Sequence, residues 1–208
     1  MPQSPDRFLL LAIIIAGLLL FVVACLVGGP GNMRDVAAIH SLAAERATHL
    51  GLTGQAIIIT RFGGAPYLFA ILLIAVALLA YARRWRSAIS LAAIVLGGRL
   101  AVEALKLVIE RPRPHFSPYP VEIASLSFPS GHSANSMITF LALALIVAPA
   151  RYRAAAIAAA VTASTLIGST RPLLGVHWPS DVVGGWAFGI AWVIVGVELS
   201  RRWRAPAE

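Results

Sequence analysis

Six stretches of this 208-residue chain are apolar enough to be read as membrane spans, and that constrains the fold before any motif is considered. They are Phe8–Leu26, Ala65–Tyr81, Ala88–Ile109, Asn135–Val147, Ala154–Ser169 and Val182–Val197. A spanning helix needs roughly 20 mostly apolar residues. The fourth stretch is short, and its helix is expected to begin earlier, near Ser130. A water-soluble core has no use for a chain that is 59% hydrophobic and only 12% charged. An ordinary soluble domain carries about twice that charge. The mean hydropathy, +0.82, points the same way. The expected fold is all-α: a polytopic membrane bundle of about six transmembrane helices. Residues 1–208 are expected to form a single membrane-embedded domain, without internal repeats. Gly185 and Gly189 have the GxxxG spacing that lets helices approach closely in lipid.

The arginines give an orientation. Arg83, Arg84 and Arg86 follow the second stretch, Arg151 and Arg153 the fourth, and Arg201, Arg202 and Arg204 the sixth. Six crossings put all three clusters on one side, with Arg7. The positive-inside rule makes that side cytoplasmic. Arg34, Arg46 and Arg61 lie in the long first loop on the other side, so the bias is modest. Both termini are then cytoplasmic in a multi-pass cell-membrane protein. The net charge of +8 is largely a topology signal. No basic patch is interleaved with aromatics in the manner of nucleic-acid binders, so no nucleic-acid partner is expected. Val22-Val23-Ala24-Cys25 resembles a lipoprotein cleavage box. The apolar run before it is long for a signal segment, and an uncleaved helix is expected. Cys25 is the only cysteine, which excludes an intramolecular disulfide.

Several cations break the topology rule. Lys106, Arg111, Arg113 and Arg171 lie at the non-cytoplasmic ends of stretches. Lys106 is the only lysine beside sixteen arginines. Snorkelling of a long side chain to the interface would explain any one of them. It explains the set poorly, because each sits beside other unusual residues. Pro112 and Pro114 should end the third helix near Glu110. That places Lys106 in the last turn and Arg113 in the rigid segment after it. In "FPSGHSAN", Phe128 to Asn135, Ser130 or Pro129 opens the next helix, and Ser130 could serve as its cap. The first N–H groups of that helix, at Gly131, His132 and Ser133, form a ready anion site. In "STRPLLGVHWPSD", Arg171 ends a stretch, Pro179 suits the first turn of the last helix, and His177 precedes Asp181 by four residues. A helix-like turn would bring those two together. The carboxylate would then fix the imidazole tautomer and leave the other nitrogen free to attack. The plainer alternative is a helix-start charge at Asp181 and an interfacial polar residue at His177.

All three segments fall on the non-cytoplasmic face. Together they supply cations, a helix N-terminus and two histidines, one beside an aspartate. That inventory suits phosphoryl transfer. Cations and N–H groups neutralise the equatorial oxygens, one histidine attacks phosphorus, and the other protonates the leaving oxygen. The mechanism calls for no metal and no cofactor, and no zinc-type spacing or cysteine cluster is present.

These residues resemble the three-part signature of the type-2 phosphatidic acid phosphatase family of integral membrane lipid phosphatases: K-x6-R-P, P-S-G-H, and S-R-x5-H-x3-D. "KLVIERPRP" aligns Lys106, Arg113 and Pro114. "PSGH" is Pro129 to His132. "TRPLLGVHWPSD" aligns Arg171, His177 and Asp181, with Thr170 where the family usually has serine. The resemblance implies that His177 is the nucleophile and forms a phosphohistidine. Asp181 would orient it and His132 would be the acid. Lys106, Arg113, Arg171, Ser130 and the Gly131 amide would hold the phosphate. The family spacing selects Arg113 over Arg111, while His40, His49 and His115 match nothing. The implied substrate is a lipid phosphate or pyrophosphate drawn from the membrane, of the undecaprenyl pyrophosphate or phosphatidic acid type. A lipid phosphotransferase of the same family, or a non-catalytic lipid or anion transporter, are the alternatives. The segment Gly28–Gly64 could form a short amphipathic helix bordering the site.

Overall fold

The structure is a computed structural model that describes residues 5–115, 120–121 and 125–204. Its regular structure is helical throughout the described residues: α1 (Pro5–Val27), α2 (Met33–Thr48), α3 (Leu50–Arg61), α4 (Ala65–Tyr81), α5 (Trp85–Ile109), α6 (Gly131–Ile146), α7 (Arg153–Leu173) and α8 (Pro179–Arg204), with one 3-10 turn at Ala150–Tyr152. Each of the six apolar stretches lies in its own helix, and Ala65–Tyr81 coincides with α4. By length and composition, four spans cross readily: Phe8–Val27, Gly51–Tyr81, Trp85–Ile109 and Pro179–Arg201. The shorter apolar helix Gly131–Ile146 is shielded by its neighbours, and α7 is built largely from alanine and other small residues. The protein is a polytopic helical membrane bundle.

The loop between the first two apolar stretches is more ordered than its sequence suggests. It holds two helices, not one. Asn32 caps α2 by accepting from the N–H groups of Arg34 and Asp35. The apolar half of the loop becomes α3, which reaches α4 through a turn at residues 62–64. Both α2 and α3 lie on α7. Gly63 makes this possible, because a Cβ there would meet Ile167 at 2.4 Å and the His132 ring at 3.1 Å.

The core sits where α5, α6 and α8 meet. Leu91, Val102, Ile138 and Val193 are fully buried there. Helix α6 is buried on nearly every face, as expected of a central helix. In contrast, α1 turns Leu9, Leu19, Val23 and Leu26 outward. In water such a face would be a liability, but in a bilayer it is the correct surface.

Pro112, Pro179 and two glycines of α8 act as their chemistry predicts, whereas Pro172 lies inside the last turn of α7. Helix α5 stops at Ile109, and Glu110 closes it in the left-handed region (φ 48°, ψ 30°) before Pro112. Helix α8 opens on Pro179. The Gly185/Gly189 stripe presses α8 onto α6. A Cβ on Gly185 would lie 2.9 Å from the Ser130 carbonyl oxygen, and one on Gly189 would lie 2.9 Å from the Met137 Cβ. Because these are short contacts to backbone and Cβ atoms, Gly185→Ala is expected to cost about 1–3 kcal/mol through overpacking. Gly54→Ala is the control, since nothing lies within 4 Å of its Cβ position. Thermal unfolding in detergent checks this, and equal melting temperatures for the two variants would contradict it.

Candidate active site

The three signature segments converge at one end of the bundle. The segment after α5 carries Arg111 and Arg113, the N-terminus of α6 carries Ser130 to His132, and the α7–α8 junction carries Arg171, His177 and Asp181. A backbone bond from the Ser130 N–H to the Asp181 carbonyl oxygen (3.0 Å) ties the second segment to the third. The Ser127 N–H donates to the Arg111 carbonyl oxygen (2.9 Å) and ties the first to the second.

His177 and Asp181 meet as the spacing suggests. Nδ1 of His177 lies 3.3 Å from Oδ2 of Asp181, with both side chains buried. The other ring nitrogen, Nε2, lies 3.0 Å from Nη1 of Arg113. A guanidinium only donates, so Nε2 must accept. The proton therefore sits on Nδ1, facing the carboxylate, and a lone pair on Nε2 faces the cations. Asp181 is saturated. Its Oδ2 accepts from the Trp178 N–H (2.9 Å), the Ser127 hydroxyl (2.5 Å) and His177, and its Oδ1 accepts from Arg111 Nη1 (2.9 Å).

The cations surround this pair. Arg113 is held by the carbonyl oxygens of Ser125 and Val176, to which it donates from Nε at 2.6 Å and Nη1 at 2.5 Å. Lys106, buried in the last turn of α5, donates to Ser125 Oγ at 3.0 Å and to Glu103 at 3.3 Å. Its Nζ lies 3.3 Å from the position a Gly131 Cβ would take, so a side chain at residue 131 would crowd it. Arg171 donates from Nη1 to Thr60 Oγ1 (2.7 Å), while its buried Nε has no hydrogen-bond partner among the described residues. Ser130 occupies the N-cap position of α6 but makes no side-chain capping bond. The first-turn N–H groups are thus not consumed by their own cap. His132 lies in that turn, within electrostatic reach of His177, Arg171, Lys106 and Arg113. The hydroxyl of Thr170 donates to the Ile167 carbonyl oxygen (2.6 Å), which turns it back onto its own helix.

A family model described as the PAP2 superfamily matches residues 87–205, more than half of the chain. The chain belongs to the PAP2 superfamily. Two PAP2 relatives are the lipid A 1-phosphatases of Rhizobium etli and Rhizobium johnstonii. The first is 40% identical over 114 residues, covering 50% of this chain and 46% of that protein. The second is 41% identical over 117 residues, covering 52% and 45%. The chain thus spans about half the length of these two relatives. Phosphatidylglycerophosphatase B of Bacillus subtilis is 33% identical over 139 residues, 64% of this chain and 67% of that one. The crystal structure of a transmembrane PAP2 type phosphatidylglycerolphosphate phosphatase from Bacillus subtilis shares the fold. Its TM-score is 0.74 at 24% identity, over 93% of this chain and 96% of that one.

Sequence reasoning counted Arg111 among the unusual cations but gave it no role in the candidate site. It is buried and pairs with Asp181, and it also donates from Nη2 to the carbonyl oxygens of Ala24 (2.9 Å) and Cys25 (2.6 Å) at the end of α1. Its guanidinium lies over the Phe128 ring, 4.3 Å from the centroid. The available signals were its place among the cations that break the topology rule and its position two residues before Arg113 in "RPRP". Ser125, Ser127 and Thr60 carried no signal, because a serine or threonine in a loop or at a helix end is ordinary. Asp35 was also missed. It accepts from the Gly29 N–H (2.7 Å) and from the Ser180 N–H (3.1 Å) and hydroxyl, and so docks α2 on the start of α8.

Burial, and then the facing charges of Arg113, Arg171 and Lys106, hold His177 well below the ordinary histidine value of 6.5. The folded chain therefore keeps the ring neutral, whereas the unfolded chain protonates it near that value. The resulting stabilisation is full above the ordinary value and is lost as pH falls below it. Unfolding temperature should drop as pH goes from about 7 to about 5, and His177→Gln should flatten part of that slope. An unchanged slope in the variant would show that other groups carry it.

Proposed function

We propose that this protein is an integral membrane lipid phosphatase that removes a terminal phosphate from a lipid phosphate or pyrophosphate through a phosphohistidine. The substrate is of the undecaprenyl pyrophosphate or phosphatidic acid type. The observation that carries this reading is the Nε2 lone pair of His177, fixed by Asp181 through Nδ1 and directed into a cluster of three cations beside a helix N-terminus. The names of the relatives support the same class of reaction.

In the first step Nε2 attacks phosphorus, the N–P bond forms, and the bond to the leaving oxygen breaks. His132 gives that oxygen its proton. Lys106, Arg113, Arg171, Ser130 and the Gly131 N–H hold the three phosphoryl oxygens, whose charge is spread in the transition state. A protonated His132 among these cations lacks a counter-charge until the phosphate brings one. In the second step water attacks phosphorus, His132 takes its proton, and the N–P bond breaks. Asp181 stabilises the imidazolium character that His177 gains in each step, and no metal takes part. The arginine clusters after α4, after α6 and in the last turns of α8 support a topology with both termini in the cytoplasm and the site on the extracytoplasmic face of the cell membrane.

The experiment is phosphate release by detergent-purified protein with excess EDTA, on undecaprenyl pyrophosphate, phosphatidic acid and phosphatidylglycerol phosphate. Wild type should release phosphate from at least one. His177→Ala should lose activity by about a thousandfold or more, as expected on removing a nucleophile. His132→Gln should load phosphate slowly and retain an acid-labile phosphohistidine. Lipid dephosphorylation without free phosphate would indicate transfer to another acceptor, and no turnover by folded protein would defeat the proposal.

Arg111 provides a second check. Its hydrogen bonds go to Asp181, Ser180 and the end of α1, and so it acts on His177 through the carboxylate, as a positioning residue. Arg111→Gln should lower kcat by about tenfold or more, with KM changed far less, because a buried charge-assisted bond to the orienting carboxylate is lost. A rise in KM at constant kcat would instead place Arg111 on the substrate.

A further inference from the structure

Polar chemistry continues below the phosphate cradle, into the part of the bundle where lipid tails lie. Arg99 precedes Lys106 by seven residues on α5, about two turns, and so shares its face. Asn135 and Thr139 follow Gly131 on α6 by about one and two turns. These three side chains, with Leu68, Phe69 and Val95, line a cavity of about 10 Å³.

Two features set this cavity apart from ordinary packing. Asn135 and Thr139 are 8% and 1% exposed, and Asn135 Oδ1 and Thr139 Oγ1 have no hydrogen-bond partner among the described residues. Buried polar atoms normally find partners, so two orphans lining one cavity indicate a missing group. Arg99 is the second feature. A guanidinium well inside a spanning helix is expensive and marks function more often than structure. It lies over the Phe69 ring, 4.8 Å from the centroid, and Phe69 is 44% exposed.

The size and donor set identify the occupant. About 10 Å³ admits one water-sized group. A second phosphate does not fit, but a single oxygen does. Arg99 offers only donors and the Thr139 hydroxyl can donate, so these two can hold a carbonyl oxygen; the orphaned Asn135 Oδ1 is an acceptor that a carbonyl oxygen cannot pair with, and Asn135 joins them only through its Nδ2 donor. The depth is about 6–12 Å below the start of α6. In an acyl-linked lipid phosphate, a carbonyl oxygen lies at this level, at the root of the tail. In a polyprenyl phosphate only hydrocarbon lies there.

We propose that Arg99, Asn135 and Thr139 form a carbonyl subsite that grips the acyl linkage of the substrate, so that the site selects acylated lipid phosphates over polyprenyl ones. The subsite rests on the lipid phosphatase reading above for its relation to turnover, but not for its existence.

The test uses the full chain in detergent with three probes: diacyl phosphatidic acid, its dialkyl ether counterpart lacking the carbonyls, and undecaprenyl pyrophosphate. Binding is read as lipid retention by the His177→Ala chain in native mass spectrometry, which does not depend on turnover. Phosphate release by the otherwise unaltered chain gives kcat/KM. The diacyl lipid should be favoured over the dialkyl lipid by about tenfold in both measurements, the effect of one charge-assisted hydrogen bond. Undecaprenyl pyrophosphate should rank with the dialkyl lipid or below it. Arg99→Leu should bring the diacyl-to-dialkyl ratio toward one, and so should Thr139→Val, which keeps the shape of the side chain. Equal retention of the diacyl and dialkyl lipids by the His177→Ala chain would overturn the subsite and assign the cavity to a water. A preference that survives both substitutions would overturn it as well. Ester preference in binding with no phosphate release from any probe would leave the subsite standing and overturn the phosphatase reading.

Discussion

The buried carboxylate of Asp181 is the group on which the rest of the site depends. It is fully buried, and an ionised carboxylate can exist there only if its acceptor sites are filled. Four donors do this: the Arg111 guanidinium, the Ser127 hydroxyl, the Trp178 N–H and the His177 ring. They come from three segments, Arg111 after α5, Ser127 before α6 and the His177–Trp178 turn before α8, so meeting this electrostatic need also sets the arrangement of the chain. Arg111 reaches back to α1, Ser127 fixes the approach to α6, and Trp178 fixes the turn into α8. Removing any one partner leaves a charge in low dielectric, which costs more than the bond itself.

The same logic explains the position of the N-terminal helices. Outside the signature region, α1 gives two carbonyl groups to Arg111, α2 gives Asp35 to the start of α8, and α3 gives Thr60 to Arg171. None of these elements contributes a signature residue. They satisfy the polar groups that the signature residues leave over, which a bilayer would not do.

The helices and the site residues were legible in the sequence for different reasons. Apolar length gives the six apolar helical segments, four of them long enough to cross a membrane, because the bilayer enforces it. Proline gives the ends of α5 and the start of α8, because the ring forbids the alternatives. The four-residue spacing of His177 and Asp181 gives their contact, because the turn between them is nearly helical. In the first loop a single short amphipathic helix was expected, and the division into two helices was not legible. Their order comes from docking on α7, and composition shows only mixed polarity. The role of Arg111 was hidden because one arginine in "RPRP" looks like the other. Only the fold reveals that Arg111 faces the carboxylate and Arg113 faces the imidazole. Ser125, Ser127 and Thr60 gain meaning only from what lies opposite them in space.

The contact between Arg113 and Nε2 of His177 gives the resting site a built-in mask. The lone pair that would form the bond to phosphorus is covered by a cation, 3.0 Å away. On the proposed reading, the group that uncovers it must compete for that guanidinium, and only an anion competes well. A neutral electrophile drifting in from the lipid has nothing to offer Arg113 and meets a nucleophile already engaged. Discrimination between phosphate esters and the neutral esters that crowd a bilayer would then begin before binding is complete, as a property of the empty site.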